Sequence, residues 1–254
     1  GSRFGYLKGR AALLELALVQ FALEKLVQKD FVPVLPPVMI KPEVYAAIGR
    51  LAAEQKDERY FIEKDNLYLV GTAEHTILPL HLEATLAEKD LPKRYAGFST
   101  CFRREAGSYG KDTKGILRVH QFDKVEMLVF TKPEDSEKEH LSLLAIQEEI
   151  MQALQLPYRV VEICAGDLGW TDYRQYDLET WLPGQNQYRE THSCSNTTDF
   201  QTRGLNCKYG GPVNGDYGTC FVHALNATAI AAQRTIIAIM ENYQTKDGDF
   251  AIPE

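Results

Sequence analysis

The sequence contains no CxxC pair. Its five cysteines stand singly at Cys101, Cys164, Cys194, Cys207 and Cys220. That pattern argues against a zinc knuckle and against a disulfide framework, and it makes a reducing compartment, the cytoplasm or an organelle after leader removal, the expectation. No apolar run approaches the roughly 18–20 residues that a membrane span needs, and no basic-then-apolar leader opens the chain. Positive charge is also scarce. Lys and Arg number 28 against 35 Asp and Glu, a formal charge of −7. Bulk electrostatics therefore do not hold this chain on nucleic acid, and an RNA partner needs a local patch or another module. Repeats and low-complexity linkers are absent. The 254 residues, 44% hydrophobic and 25% charged, read as one soluble domain over 1–254.

Residues 11–29 are rich in Ala, Leu, Glu and Lys, with a broad apolar face that predicts a helix against a core. The segment FVPVLPPVMI at 31–40 breaks that helix. Its Pro36–Pro37 pair forces extended backbone and removes two N–H donors, which suits a sheet edge or a subunit contact. Strand patterns follow at Leu67–Val70, Tyr95–Arg103, Leu117–Phe130, Tyr158–Cys164, Tyr176–Leu182 and Tyr188–Cys194, with helical stretches near 73–89, 134–155 and 229–243. Strands that arrive as hairpin-like neighbours, with few crossover helices, predict an α+β domain built on an antiparallel sheet.

The chemistry concentrates in CFRREAGSYGKDTKGILRVHQFDKVE, residues 101–126. From Arg103 to Glu126 it carries six basic residues (Arg103, Arg104, Lys111, Lys114, Arg118, Lys124) against four acidic ones. On an ideal second strand Arg118, His120, Phe122, Lys124 and Glu126 share one face. That face offers a guanidinium, an aromatic plate and a carboxylate, each about 13 Å from the next at roughly 3.3 Å per residue. Arg103 and Glu105 likewise share a face of the first strand. A solvated, salt-bridged hairpin accounts for the same charges, so other segments must decide.

Three segments bear on the choice. In LYLVGTAEHT (67–76) a strand runs into a helix that Thr72 is suited to cap, with Glu74 at its positive end. YRETHSCSN (188–196) sets Glu190 and Ser193 in a strand-like context, either a metal site or a polar strand face. In HALNATAIAAQRTIIAIMEN (223–242) Asn226 and Thr228 share a strand face ahead of an apolar helix that carries Arg234. A guanidinium among Ala, Ile and Met is costly to bury unless it meets an anion; otherwise it reaches water or pairs with Glu241.

The 101–126 segment resembles the second signature motif of class II aminoacyl-tRNA synthetases, and its details are similar to the seryl-tRNA synthetase family. GTAE (71–74), RETHSCS (189–195), LNATAIAAQR (225–234) as the third motif and the ending ENYQTKDGDFAIPE are similar to that family as well. FVPVLPPVMI resembles the first motif, which in this class shapes a dimer interface. The resemblance implies a six- to seven-stranded antiparallel sheet flanked by helices and a homodimer formed through 31–40. It implies ATP-dependent activation of L-serine to seryl-adenylate, with ATP and Mg²⁺ required, then transfer to the acceptor end of serine tRNA.

By motif position Arg103 is expected on the α-phosphate, Glu105 on the adenine amino group, Phe122 stacked on adenine, and Arg118 and Arg234 on the β- and γ-phosphates. Glu190 and Ser193 are expected to ligate Mg²⁺ carried by ATP. Thr72, Glu74, Arg103, Glu126, Asn226 and Thr228 are expected around serine, with Glu126 on its hydroxyl. No general base is needed, because a serine carboxylate is already ionised at neutral pH, so His75, His120 and His192 receive no acid–base role.

The resemblance also implies an N-terminal helical arm ahead of the catalytic domain. This chain opens at GSRFGYLKG, where that domain normally starts, so the arm is expected to be absent and tRNA transfer weak. A tRNA-facing basic rim is confined to Lys111, Lys114, Arg203 and Lys208. Two other readings remain: an armless ligase that loads an amino acid onto a carrier protein, and a non-catalytic paralogue. Asp30 stands where glycine often closes the first helix, and its turn must tolerate it. Glu190 and Ser193 have opposite parity, so a shared ion requires a bulge in 188–194.

Overall fold

The computed structural model describes residues 2–108, 110, 112–213 and 216–253. Its frame runs α1 (Arg10–Val27), β1 (Val32–Val34), β2 (Lys93–Phe102), β3 (Gln121–Thr131), α2 (Ser136–Ala153), β4 (Tyr158–Glu162), β5 (Arg174–Leu182), β6 (Gln187–Asn196), β7 (His223–Ala231) and α3 (Ala232–Asn242). The strands form a seven-stranded sheet in the spatial order β1-β2-β3-β7-β6-β5-β4. Every neighbouring pair is antiparallel except β1 with β2, which is parallel. The architecture is therefore α+β, with one departure from the antiparallel expectation: the proline-containing 32–34 segment adds at the sheet edge in parallel. An edge position is where a missing proline N–H costs no ladder bond.

Strand parity sorts the sheet into two faces. Val125, Met127 and Val129 of β3 and Leu225, Ala227 and Ala229 of β7 pack in one cluster with Leu18, Ala22 and Leu26 of α1, Ile146 and Ile150 of α2, and Ile236 and Ile239 of α3. The alternate residues point the other way. Leu128 and Phe130, with Ala224, bury against Ile77, Leu78, Leu205 and Val222 in a second cluster. Nearer the opposite end of the same face stand Lys124, Glu126, Asn226 and Thr228, all buried but polar. One sheet face thus changes along its length from core to site.

Several boundaries differ from the sequence expectation. The stretch 73–89 is one helical turn, Glu74–Ile77, followed by a 3₁₀ turn over Leu78–His81 and a short strand at Thr85–Ala87. Pro79 lacks the N–H that a continuing helix needs, and Glu83 adopts φ 56°. The second strand of the 101–126 hairpin begins at Gln121, so Arg118 and His120 precede it, and the first ends at Phe102. The strands at Lys208–Val213 and Asp216–Phe221 pair antiparallel with one another, in a region where the sequence pattern indicated none. Asp30 does adopt a left-handed conformation, φ 64°, and Phe31 N–H closes the turn onto Leu26 O at 3.1 Å. That is the turn geometry glycine usually supplies.

Gly97 of β2 decides how closely the Glu74–Ile77 turn approaches the sheet. A Cβ there would stand 2.2 Å from Ile77 Cδ1 and 2.9 Å from Ala73 Cβ. Gly97→Ala is therefore expected to destabilise the fold by about 1–3 kcal/mol, as overpacking does, and urea denaturation checks it. An unchanged midpoint would show that the turn is not seated on this glycine.

Candidate active site

The site lies over a seam that backbone pairing leaves incomplete. Strands β6 and β7 share the pairs Cys194↔Ala227, Ser195↔Asn226 and Asn196↔Leu225. Beyond Cys194, β6 shifts register against β5 between Glu190 and His192, and β7 shifts against β3 between Thr228 and Ile230. Side chains take over where the ladder ends. His192 Nε2 donates to Ala229 O at 3.1 Å, and Gln147 Nε2, from α2, donates to Ser193 O and Thr228 O at 2.8 Å each. β6 thus carries the irregularity that the parity of Glu190 and Ser193 required, and both residues line one cavity.

That cavity has a volume of about 100 Å³ and gathers Arg103, Glu105, Arg118, Phe122, Glu190, Ser193, Thr228 and Arg234. The three arginines that the sequence singled out therefore converge. Arg103 and Glu105 arrive from irregular chain after β2, and Glu105 has φ 56°, so a turn and not a shared strand face brings them together. Arg118 likewise arrives from the loop before β3. It is held by Glu105 at 2.6 Å and by Asp112 at 3.5 Å. Arg103 lies over the Phe122 ring at 5.2 Å. Arg234 donates from Nη1 to Glu190 O at 2.7 Å and stands 3.5 Å from its carboxylate. Glu241 instead accepts from Gly184 N–H at 2.9 Å, which removes the Arg234–Glu241 pairing considered for this helix. Burial works to raise the Glu190 pKa, but Arg234, Arg103 and Arg118 hold it below its usual value.

A second cavity of about 510 Å³ shares Arg103, Glu105, Arg118, Lys124 and Ser193 with the first and extends to Thr72, Glu74, Glu126 and Asn226. Its floor is acidic. Glu74 accepts from Arg50 Nη2 at 3.0 Å and from Gln201 Nε2 at 2.7 Å, and its N–H donates to Thr72 Oγ1 at 3.3 Å. Burial favours the neutral form of Glu74, yet Arg50 and Gln201 keep its pKa below the usual range. Glu126 differs: burial pushes its pKa up despite an ion pair with Lys124. Thr228 Oγ1 is 3.5 Å from Glu126. Asn226 Nδ2 is buried without a hydrogen-bond partner, in a fold where buried donors are ordinarily satisfied. Every site residue expected from the sequence lines one cavity or the other.

His75 and His120 are both hydrogen-bonded within the fold. His75 Nδ1 meets Tyr45 Oη at 3.0 Å and Gly71 N–H at 3.3 Å, and burial puts its pKa well below the ordinary value. His120 Nδ1 meets Arg103 O at 3.1 Å. Of the basic rim, Lys111 lies outside the described residues. Lys114 is exposed, and Arg203 and Lys208 both lie over the Phe221 ring, at 4.7 and 5.3 Å.

The family described as tRNA synthetase class II core domain (G, H, P, S and T) matches residues 58–243. This chain belongs to that family. It is 49% identical over 254 residues to the serine–tRNA ligase of Thermobifida fusca, covering 100% of this chain and 59% of that protein. With its Thermococcus onnurineus counterpart the identity is 48%, covering 100% of this chain and 55% of the relative. Among solved structures, the seryl-tRNA synthetase of Pyrococcus horikoshii complexed with ATP superposes with a TM-score of 0.95 at 47% identity, over 100% of this chain and 56% of that one. The cytoplasmic serine–tRNA ligase of Naegleria fowleri in complex with AMP gives 0.93 at 40%, over 100% of this chain and 59% of that one. The chain thus spans a little over half the length of these relatives. No helix among the described residues is long and apolar enough to cross a membrane.

Within this class II core, sequence reasoning missed Arg50, Arg59, Gln147 and Gln201. The two arginines lie outside the helices and strands, where no periodicity marks them. Gln147 and Gln201 are neutral amides whose importance comes from burial alone. The Arg50–Glu74 pair carries a pH signature. Glu74 ionises near 4.5 in the unfolded chain and lower in the fold. Its contribution to stability is therefore complete above pH 4.5 and is lost as pH falls from there through the folded value. Glu74→Gln is expected to lower stability at neutral pH, because Arg50 loses its counter-ion, and to flatten the acid limb below pH 4.5. Denaturant titrations across that range check it, and an acid slope identical to the parent's contradicts it.

Proposed function

We propose that this chain is the catalytic unit of a serine–tRNA ligase, activating L-serine with ATP to seryl-adenylate and passing it to the acceptor end of serine tRNA. The observation that carries the proposal is the convergence of Arg103, Arg118 and Arg234 on one cavity that opens onto a cup floored by Glu74 and Glu126. In this reading the catalytic unit extends over residues 1–254.

The reaction joins a carboxylate oxygen of serine to the α-phosphorus and breaks the bond to the β-phosphate bridging oxygen, whose electron pair leaves with pyrophosphate. Negative charge grows on the equatorial oxygens and on the leaving group, so the protein's work is positioning and charge stabilisation. Arg103 holds the α-phosphate, and Arg118 and Arg234 take the β- and γ-phosphates. Phe122 stacks on adenine while Glu105 accepts from its amino group. Arg118 must then exchange its Glu105 and Asp112 partners for phosphate.

Glu74 and Thr72 take the serine ammonium, and Glu126 takes the hydroxyl, aided by Asn226 and Thr228. A raised Glu126 pKa suits a carboxyl that shares a proton with a neutral hydroxyl partner. Glu190 and Ser193 each present an oxygen to the phosphate cavity. Among the described residues no group of three or more His, Cys, Asp or Glu is arranged to hold a metal. That donor set suits Mg²⁺, which takes few protein ligands and keeps phosphate and water; Glu190 and Ser193 would hold it. When bound, Mg²⁺ neutralises charge on the phosphate oxygens.

Homodimer formation through 31–40 is part of the proposal. Val32, Leu35 and Met39 are 55%, 79% and 47% exposed, and Leu13 and Leu16 of α1 are 65% and 64% exposed. So much exposed aliphatic surface on one helix and the adjoining segment suits a partner subunit. Five free thiols suit a reducing compartment, so the cytoplasm is the proposed location.

Pyrophosphate exchange tests the activity. Serine is expected to support exchange and alanine to be rejected by a factor on the order of 10⁴, because alanine leaves buried hydroxyl-binding groups unpaired. Arg103→Ala is expected to lower turnover by about 10²–10³. Serine-independent exchange, or an Arg103→Ala protein with full turnover, contradicts the proposal.

A further inference from the structure

Two guanidiniums stand where the phosphate cavity meets the acidic cup. Arg103 donates to Gly71 O from Nε at 3.3 Å and from Nη2 at 3.2 Å. Arg59 reaches the same glycine, its Nη1 3.1 Å from where a Gly71 Cβ would stand. The two differ in what they face: Arg103 lines both cavities, Arg59 only the cup.

Arg59 makes no close ion pair among the described residues, and of the carboxylates only the adjacent Glu58 favours its charge, from a longer distance. Its Nε is buried without a hydrogen-bond partner. Arg50, by contrast, is neutralised by Glu74. Burial first, and then the neighbouring Arg103 and Arg50 charges, hold the Arg59 pKa below its usual value, against the opposing pull of Tyr45 and Glu58. A cation kept there without a close partner is costly unless an anion completes the set.

The fold nevertheless fixes it. Arg59 lies 5.7 Å from the Tyr45 ring centroid. The preceding residue ties it to the loop that carries Arg103: Arg104 N–H donates to Glu58 O at 3.1 Å and Gly107 N–H to Glu58 Oε1 at 2.8 Å. Arg59 and Arg103 are therefore held as a pair.

We infer that Arg59 is a substrate-binding residue that holds the α-carboxylate of the amino acid, beside Arg103. This rests on the activation reading and deepens it. With the ammonium at Glu74 and the side-chain hydroxyl at Glu126, the remaining charged group of a small amino acid faces the cup's only arginines without a close ion pair among the described residues. One carboxylate oxygen held by Arg59 leaves the other free to attack the α-phosphorus on Arg103. That oxygen forms the new P–O bond as pyrophosphate leaves. The held oxygen becomes the acyl carbonyl and loses its charge, so Arg59 acts mainly on binding of the free amino acid.

The test compares serine with serinamide, which keeps the ammonium and hydroxyl but lacks the anion, by calorimetric binding to the full chain, alongside pyrophosphate exchange. Arg59→Ala is expected to raise the serine dissociation constant and KM by about 10- to 100-fold. Serinamide affinity and the ATP KM should stay unchanged, and kcat should fall less than KM rises. Arg59→Lys, which keeps the charge without the planar fork, should recover part of the loss. Equal weakening of serine and serinamide, or no change for serine, overturns the inference while a wild-type protein active in exchange leaves the activation reading standing. A wild-type protein inactive in exchange overturns both.

Discussion

Beyond the Cys194–Ala227 pair, β6 and β7 are held by side chains in place of backbone hydrogen bonds. His192 spans to Ala229, and one Gln147 amide donates to carbonyls of both strands. The shifts that accompany this opening turn Glu190 and Ser193 into a common cavity and leave Thr228 beside Glu126. A regular ladder would send alternate residues to opposite faces and bury half of the site in the helix layer. The site depends on that local failure of pairing. The cost is met by buried polar groups, each of which the helix layer or the strand itself must satisfy.

Charge is arranged by depth. In the cup two buried carboxylates are paired with basic groups of the fold, Glu74 with Arg50 and Glu126 with Lys124. Towards the phosphate cavity the balance reverses, with Arg103 unpaired by carboxylate and Arg118 held between Glu105 and Asp112. A zwitterion with a hydroxyl fits the first environment, and a polyanion fits the second. Small amino acids offer little apolar surface to discriminate, so selectivity rests on polar groups that a wrong side chain leaves unpaired.

Much of this was legible in the sequence because strand parity is a strong constraint. Alternation through 122–129 fixes Phe122, Lys124 and Glu126 opposite Val125, Met127 and Val129, and the sheet bears that out. The helices near 134–155 and 229–243 follow from composition and periodicity, and appear as α2 and α3. Parity failed where the chain leaves the sheet. Arg103, Glu105 and Arg118 reach the cavity from loops, through a left-handed Glu105 that no pattern announces. The paired strands over 208–221 contain Gly210, Gly211 and Pro212, which resemble a turn until a partner strand is known. Arg50 and Arg59 are isolated loop cations, indistinguishable in sequence from surface charge.

The most direct test is a crystal structure of the protein with a non-hydrolysable seryl-adenylate analogue. The account predicts the serine α-ammonium at Glu74, the hydroxyl at Glu126, the adenine on Phe122 and the phosphate mimic within hydrogen-bonding distance of Arg103. An analogue bound with its adenine in the cup, or away from Arg103 altogether, contradicts it.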